Sequence, residues 1–144
     1  MRLTSSAFEN GGMIPATYTC NGKDLLPPLS ISNIPKGTKS LTFILEDPDT
    51  SIGTFDHWVL FNVDPIFTQI LEGKEPFGTH GKASSGDLAY VSPCPPTGIH
   101  RYMWSVYALS EKLNLPEGVS KNEVIHAMNG HILDKAELMG RYGK

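Results

Sequence analysis

The chain has 144 residues and a formal net charge of -3, with 40% hydrophobic and 19% charged residues. This length fits one domain, and the composition is that of a folded rather than a disordered chain. The acidic balance and the scattered set of 12 Lys and Arg residues exclude a broad nucleic-acid surface. We therefore expect a single domain over residues 1–144 that binds no nucleic acid.

The apolar runs of the chain are short and are separated by 14 glycines and 11 prolines, which predicts a mainly β fold with a few short helices. These runs are typical of strands in two packed sheets or in one large mixed sheet. In chain order they cover residues 29–32, 41–45, 58–63 and 102–109, and a last strand can close the fold over residues 138–142.

The segments between these runs differ in character. Residues 71–88 are rich in Gly, Ser, Lys and Pro, which predicts a mobile loop with His80 exposed. Helical signals come late in the chain. Ser120 and Glu123 form a capping box before an apolar stripe, and Gly130 is a stop signal.

The N-terminal segment and the two cysteines bear on location. No apolar stretch follows Arg2, and no run of about 18 apolar residues occurs, so neither a secretory signal nor a transmembrane helix is predicted. We expect a cytoplasmic protein, in which Cys20 and Cys94 are free thiols. One disulfide between them stays open as the alternative, because both lie beside kinked segments.

The first candidate site segment follows the strand predicted over residues 41–45. Alternation puts Asp47 on the face of Phe43 and Leu45, so that a core face ends in a carboxylate at a pocket rim. Pro48 is expected to end the strand. Asp49 then lies on a turn, either as a turn cap or as a second acid of the site.

His57 begins the next predicted strand, and alternation assigns it to the face of Val59 and Phe61. It is either a hydrogen-bonded histidine at the edge of the core or the partner of Asp47 and Asp49 in an ion pair between neighbouring strands.

The second candidate segment is the prolyl stretch 92–98, which its three prolines bar from a helix or a central strand. Its rigid backbone is able to present the Cys94 N–H to an anion. On the strand that follows, His100 and Tyr102 share a face, while Arg101 points the other way and is expected to form a salt bridge. The alternative for Tyr102 is a core tyrosine with a satisfied hydroxyl.

Together the two motifs, Asp47-Pro48-Asp49 with His57-Trp58 and Pro93-Cys94-Pro95-Pro96 with Gly98 to Tyr102, resemble those of the phosphatidylethanolamine-binding protein family. The resemblance covers nearly the whole chain and is greatest to the short prokaryotic branch of this family, which also includes the Raf kinase inhibitor protein. It implies packed β-sheets with a small pocket at one end for phosphate, phosphorylethanolamine, cacodylate or acetate. It also implies six ligand-binding residues, with Cys94 acting through its backbone N–H: Asp47, Asp49, His57, Cys94, His100 and Tyr102.

Three departures from the family pattern affect the expected pocket. Thr50 and Ser51 replace the usual Ala-Pro, and Phe55 replaces a tryptophan two places before the pocket histidine. The chain also ends at Lys144, without the C-terminal helix that partly covers the pocket in eukaryotic members. A more open pocket is therefore expected.

The leading hypothesis is a regulatory or inhibitory module that binds a small phosphorylated or carboxylate ligand weakly, with no cofactor and no metal. One alternative is a hydrolase that uses Asp47, His57 and His100 as acid and base or to gather a metal, although no serine or cysteine nucleophile motif is present. Another alternative is an interaction protein that inhibits a kinase or protease through residues 71–88. A homodimer is compatible with the sequence, which fixes neither the natural ligand nor the partner.

Overall fold

The computed structural model describes residues 1–143 as two β-sheets, one 3-10 helix (Ala16–Tyr18) and one α-helix, α1 (Lys121–Met128). The smaller sheet contains β1 (Arg2–Thr4), β2 (Leu29–Ser32) and β5 (Gln69–Ile70), in the order β1-β2-β5. The larger sheet contains β3 (Ser40–Thr50), β4 (Gly53–Val63), β6 (Thr79–His80), β7 (Ile99–Leu109) and β8 (Ile132–Gly143), in the order β6-β4-β3-β7-β8. The mainly β prediction is confirmed, in its two-sheet form.

Both faces of the larger sheet are buried, which explains why its central strands are apolar throughout. Phe43 and Leu45 of β3 pack toward the smaller sheet, in one core with Trp58. Ile44, between them, packs on the opposite face with Val124 of α1. The helix begins at the predicted capping box, where the Ser120 side chain accepts the Glu123 N–H.

A β-bulge corrects the face predicted for His57. Leu45 pairs with Trp58 and Glu46 pairs with Asp56, so His57 is an extra residue on β4 between the two pairs. A bulge shifts the alternation of side chains by one position. His57 therefore does not share the face of Val59 and Phe61, and its ring centroid lies 5.5 Å from that of Tyr102.

The prediction that Pro48 ends its strand is also wrong, because β3 continues through Pro48 to Thr50. The pairing of β3 with β7 stops at Glu46, and its pairing with β4 is irregular between Asp47 and Thr50. Since no regular ladder passes through this position, the missing N–H of Pro48 costs no ladder hydrogen bond.

The segment 71–88 is anchored to β4 rather than loose. The His80 ring, expected to be exposed, has a side-chain exposure of only 24% and lies 2.8 Å from a Glu75 carboxylate oxygen through Nε2. The same oxygen accepts the indole N–H of Trp58 at 2.6 Å. Gly81 packs so closely that an added Cβ would lie 2.7 Å from a methyl group of Val59.

The expected free thiols are wrong as well, since Cys20 and Cys94 form a disulfide. The Cys20 N–H donates to the Pro93 carbonyl at 3.1 Å, which brings the two cysteine Cα atoms within 5.4 Å. This separation lies in the ordinary range for a disulfide.

Within residues 1–143, no helix is both long and apolar enough to cross a membrane.

Candidate functional site

A cleft of about 300 Å³ lies where the end of β3 meets the beginnings of β4 and β7. Because these strands are antiparallel neighbours, side chains from two sequence-distant motifs converge at one edge of the sheet. Five of the six predicted site residues line the cleft, namely Asp47, His57, Cys94, His100 and Tyr102. The remaining lining residues are Thr50, Ser51, Ile52, Phe55, Val91, Ser92, Pro95 and Pro96.

Asp47 and His100 form a buried pair at the base of the cleft. Asp47 is 1% exposed, and its Oδ2 lies 2.6 Å from His100 Nδ1. Its other oxygen accepts the backbone N–H of Asp49 at 2.8 Å. The second ring nitrogen of His100 lies 3.1 Å from the Thr97 carbonyl. Because both nitrogens face acceptors, the geometry suits an imidazolium that donates twice.

His57 is held by backbone on one side and open to the cleft on the other. Its Nδ1 lies 2.8 Å from the Val91 carbonyl, which requires this nitrogen to be the donor and leaves Nε2 of the neutral ring as an acceptor. Burial lowers the pKa of His57, and the Val91 and Ser92 backbone and the Asp47 and Asp56 carboxylates only partly oppose this. A neutral ring at pH 7 follows from this shift.

Tyr102 lies between the two histidines. Its ring stacks on His100 with centroids 6.4 Å apart and meets His57 edge-on. Burial raises the pKa of its phenol, and the nearby Asp47 carboxylate adds to this. The hydroxyl is buried and closes no well-formed hydrogen bond with any residue of 1–143, although Asp47 and the Cys94 backbone lie close by. Tyr102 therefore does not fit the alternative of a satisfied core tyrosine.

Asp49, the sixth predicted site residue, does not line this cleft but lines an adjoining pocket that shares Thr50, Ser51, Pro96 and His100 with it. Its carboxylate binds Arg101 through both oxygens, at 2.9 Å to Nε and 2.8 Å to Nη2, and accepts the Arg101 backbone N–H. The hydrogen bonds from the Arg101 side chain and backbone lower the pKa of Asp49 to about 2. The structure thus gives Arg101 its predicted salt bridge, with Asp49 as the partner.

Sequence reasoning missed the hairpin tip as part of the cleft wall. Ser51 and Ile52 join β3 to β4, and Ile52 is 85% exposed at the cleft. The signal was present, since an acidic motif and His57 only a few residues apart on paired strands must lie beside their own hairpin turn. Ser92 was missed as well, and its hydroxyl hydrogen bonds to Asp24, far away in the sequence.

The cleft was also considered as a metal site. Over residues 1–143, no group of three or more His, Cys, Asp and Glu side chains is arranged to hold an ion.

Comparison with known proteins assigns this architecture to one family. A sequence model of the phosphatidylethanolamine-binding protein family matches residues 4–143. A UPF0098 protein of Chlamydia trachomatis is 43% identical over 149 residues, covering 100% of this chain and 99% of that protein. A UPF0098 protein of Methanothermobacter thermautotrophicus is 44% identical over 148 residues, covering 99% of this chain and 98% of that protein.

Solved structures agree with the sequence comparison. A crystal structure from Chlamydia trachomatis, described as a phosphatidylethanolamine-binding protein homologue, superposes with a TM-score of 0.96 at 43% identity, covering 99% of this chain and 97% of that one. YbcL of E. coli, described as a new member of the mammalian family, superposes with a TM-score of 0.90 at 26% identity, covering 99% and 98%.

Proposed function

Since this chain belongs to the phosphatidylethanolamine-binding protein family, we propose that its cleft binds a small anion, as a regulatory or inhibitory module. The observation that carries the proposal is the buried Tyr102 hydroxyl without a hydrogen-bond partner at the cleft. An unsatisfied buried hydroxyl costs about 1–3 kcal/mol. A ligand oxygen that accepts a hydrogen bond from this hydroxyl removes that cost.

The charges around the cleft favour an anion of low charge. Its lining residues include no Lys or Arg within residues 1–143, and His57 is neutral near pH 7. The Asp47 carboxylate is balanced by His100 if that ring is an imidazolium. A phosphate dianion would meet no net positive charge here, so a monoanion such as a carboxylate, a phosphodiester or dihydrogen phosphate fits better.

We assign two kinds of role to the cleft residues. The Tyr102 hydroxyl and the Cys94 N–H are the groups that donate to the ligand at neutral pH, and His57 Nε2 joins them as a donor once its ring is protonated. Asp47 and His100 satisfy each other and act as positioning residues that hold the base of the cleft. Two or three hydrogen bonds of this kind, less the cost of association, give a dissociation constant between micromolar and millimolar.

The decisive experiment is an amide-resolved NMR titration at pH 6 with inorganic phosphate, phosphorylethanolamine and acetate. Wild type is compared with Tyr102→Phe, which removes only the unpartnered hydroxyl. We expect cleft amides to shift in wild type, and the Tyr102→Phe affinity to fall about tenfold or more, as for the loss of a charge-assisted hydrogen bond.

Tyr90→Phe is the matched control, because the Tyr90 hydroxyl is also buried without a partner but lies outside the cleft lining. Its affinity should equal that of wild type. No shifts at millimolar ligand, or equal weakening by both substitutions, would reject the proposed anion site.

The hydrolase alternative has less support than binding. Its one candidate nucleophile, Cys94, is held in a disulfide and offers no thiolate in the oxidised protein. The His57 nitrogen that would act as a base has no serine or cysteine in a nucleophile motif to activate. An esterase and phosphatase panel that shows turnover by wild type, lost in His57→Gln, would restore this alternative.

A protein partner is the second candidate function, favoured by an apolar surface on the 71–88 segment. Phe77 is 84% exposed and Leu71 is 61% exposed, beside a shallow groove that both residues line. Exposed apolar side chains grouped in this way are typical of interaction surfaces. Inhibition assays against protease and kinase panels test this function, with Phe77→Ser expected to abolish any inhibition that wild type shows.

A further inference from the structure

The disulfide connects the cleft to a distant segment of the chain. Cys94 lines the cleft, whereas Cys20 lies 74 positions away in the sequence, just after the 3-10 helix, and contributes nothing to the lining. We propose that the Cys20–Cys94 disulfide is a redox control of the anion cleft, in which the oxidised protein binds the anion and reduction weakens binding. This inference rests on the proposed function of the cleft.

The position of the prolyl shelf, residues 92–96, decides what its backbone can offer to a ligand. Pro93, Pro95 and Pro96 carry no N–H, so Cys94 is the one residue among these four that can offer a backbone donor to a ligand. A donor improves affinity only if it is already in place before the ligand arrives. The position of the Cys94 N–H therefore decides how much it contributes.

The shelf is held from two sides: Val91, just before it, bonds with His57 of β4, and the segment that carries Cys20 holds the residues beside Cys94. The Cys20 N–H donates to the Pro93 carbonyl, and Asp24 accepts the Ser92 hydroxyl. Each such hydrogen bond can open and re-form, whereas the covalent link holds the two segments together at all times. Without the disulfide, the exposed Cys94 would keep the hydrogen bonds of its buried neighbours Ser92 and Pro93 but lose its covalent link to Cys20.

Both cysteines are exposed, so a reductant can reach the bond. The thiolate of a dithiol, or of two monothiols in turn, attacks one sulfur and forms a mixed disulfide, and a second thiolate resolves it. Two electrons and two protons pass to the protein, Cys20 and Cys94 become thiols, and the reductant leaves as its own disulfide. In a reducing compartment such a disulfide would be a control rather than a permanent staple, because disulfides there are mostly redox-sensing or catalytic.

Linkage gives the proposal a second signature. If oxidation tightens anion binding by some factor, the anion must favour the disulfide over the dithiol by the same factor. Saturating anion should therefore shift the equilibrium between protein and a dithiol buffer toward the disulfide. A disulfide that only staples the fold would not respond to the anion.

The test is an NMR titration with inorganic phosphate and acetate at pH 6 on oxidised wild type, dithiol-reduced wild type and Cys20→Ser. Cys20→Ser removes the bond and leaves every cleft-lining side chain in place. We expect the reduced protein and Cys20→Ser to bind about tenfold more weakly than oxidised protein, with Cys20→Ser indifferent to reductant. Amide shifts from reduction should be confined to the shelf and residues 16–24, and anion should protect the disulfide by the same factor.

The outcomes separate this inference from the proposed function. Oxidised and reduced wild type with affinities within twofold would overturn the redox control and leave the anion site standing. Loss of signal dispersion throughout both sheets on reduction would also overturn it, since the disulfide would then be a staple of the whole fold. Absence of binding by the oxidised protein would overturn the proposed function and this inference with it.

Discussion

Two polar clusters lie on opposite faces of the same pair of strands, and their key residues are neighbours in the sequence. Glu46 and Asp56 point toward α1, where both bind Lys121. Asp47 and His57, one position further along, line the cleft on the other face. Both clusters are therefore carried by β3 and β4, and they differ in the groups that neutralise or bond their polar side chains.

The cluster at α1 is closed. Lys121 Nζ lies 2.7 Å from Glu46 and 2.8 Å from Asp56, with 16% of its side chain exposed. Burial lowers the pKa of Lys121, but hydrogen bonds to Asp56 and Glu46 outweigh this, and the pKa is raised. The positive charge is matched within the protein, so this cluster joins the helix to the sheet.

The cleft cluster is closed at its base and incomplete above. Asp47 and His100 satisfy each other, whereas the Tyr102 hydroxyl has no partner within residues 1–143. The comparison shows that a group of buried charges is not by itself a sign of a site. The informative feature is a buried polar atom that the fold leaves unsatisfied.

The largest effect expected from this comparison is the difference between Asp47→Asn and Glu46→Gln. Both Asp47 oxygens accept hydrogen bonds, and an amide can replace only one of them, since its NH₂ group would face a donor. We expect Asp47→Asn to lower the free energy of unfolding by about 3 kcal/mol. Glu46→Gln should lower it by less than about 1 kcal/mol, because Glu46 is partly exposed and Lys121 keeps Asp56.

Urea unfolding at pH 7 measures both losses. Phosphate titration of Glu46→Gln is the control for the cleft and should match wild type. Equal losses for the two substitutions would mean that burial makes the Asp47–His100 pair no more important for stability than the partly exposed Glu46–Lys121 pair.

The sequence predicted the cleft residues better than it predicted their geometry. Strand alternation placed Asp47, His100 and Tyr102 correctly, because β3 and β7 pair in a regular register up to Glu46. It failed at His57, because a bulge depends on how two strands pair and leaves no mark in the residues of one strand. The short spacing of His57 from Asp47 and Asp49, together with the family resemblance, rather than periodicity, brought His57 into the predicted site.

Long-range contacts were the other part that local patterns could not supply. The Cys20–Cys94 disulfide and the bond between Asp24 and Ser92 join segments that have no periodicity linking them. Composition predicts a mobile loop over residues 71–88. Glu75 nevertheless holds this segment in place, because its carboxylate bonds to Trp58 and His80. Composition reports what a segment is able to do alone, and tertiary hydrogen bonds override it.

The next effect in size concerns pH, since the cleft differs from the α1 cluster in lacking a permanent cation. Burial lowers the pKa of His57 below its ordinary value of about 6.5, so the ring gains charge only as pH falls below neutral. Dimethyl phosphate, a monoanion throughout, should bind about tenfold more tightly at pH 5.5 than at pH 7.5, because a charged donor replaces a neutral group. If the affinity of wild type did not change with pH, the His57 imidazolium would be ruled out. The affinity of His57→Gln should not change with pH, because glutamine does not titrate.

The same shift sets the sign of a stability change without ligand. The unfolded state binds a proton at His57 more readily than the folded state does, so the free energy of unfolding falls as pH drops from about 6.5 through the lowered pKa. Saturating dimethyl phosphate should reduce this loss, because it favours the charged ring in the folded protein. Thermal unfolding with and without the anion, in wild type and His57→Gln, measures the difference.

The smallest effect is expected from Arg101→Met, which tests whether Asp49 helps to bind the anion or only forms an ion pair with Arg101. Arg101→Met should raise the pKa of Asp49 from about 2 only part of the way to its ordinary value of about 3.9, since the backbone N–H of residue 101 still donates. The native pair stabilises the fold above about pH 4, and this contribution is lost as pH falls toward 2. A carboxyl NMR titration measures the pKa, and anion affinity should stay within twofold of wild type because Asp49 lies outside the cleft lining. If Arg101→Met weakened anion binding as much as Tyr102→Phe does, Asp49 would be a sixth member of the site and the boundary drawn here around five residues would be wrong.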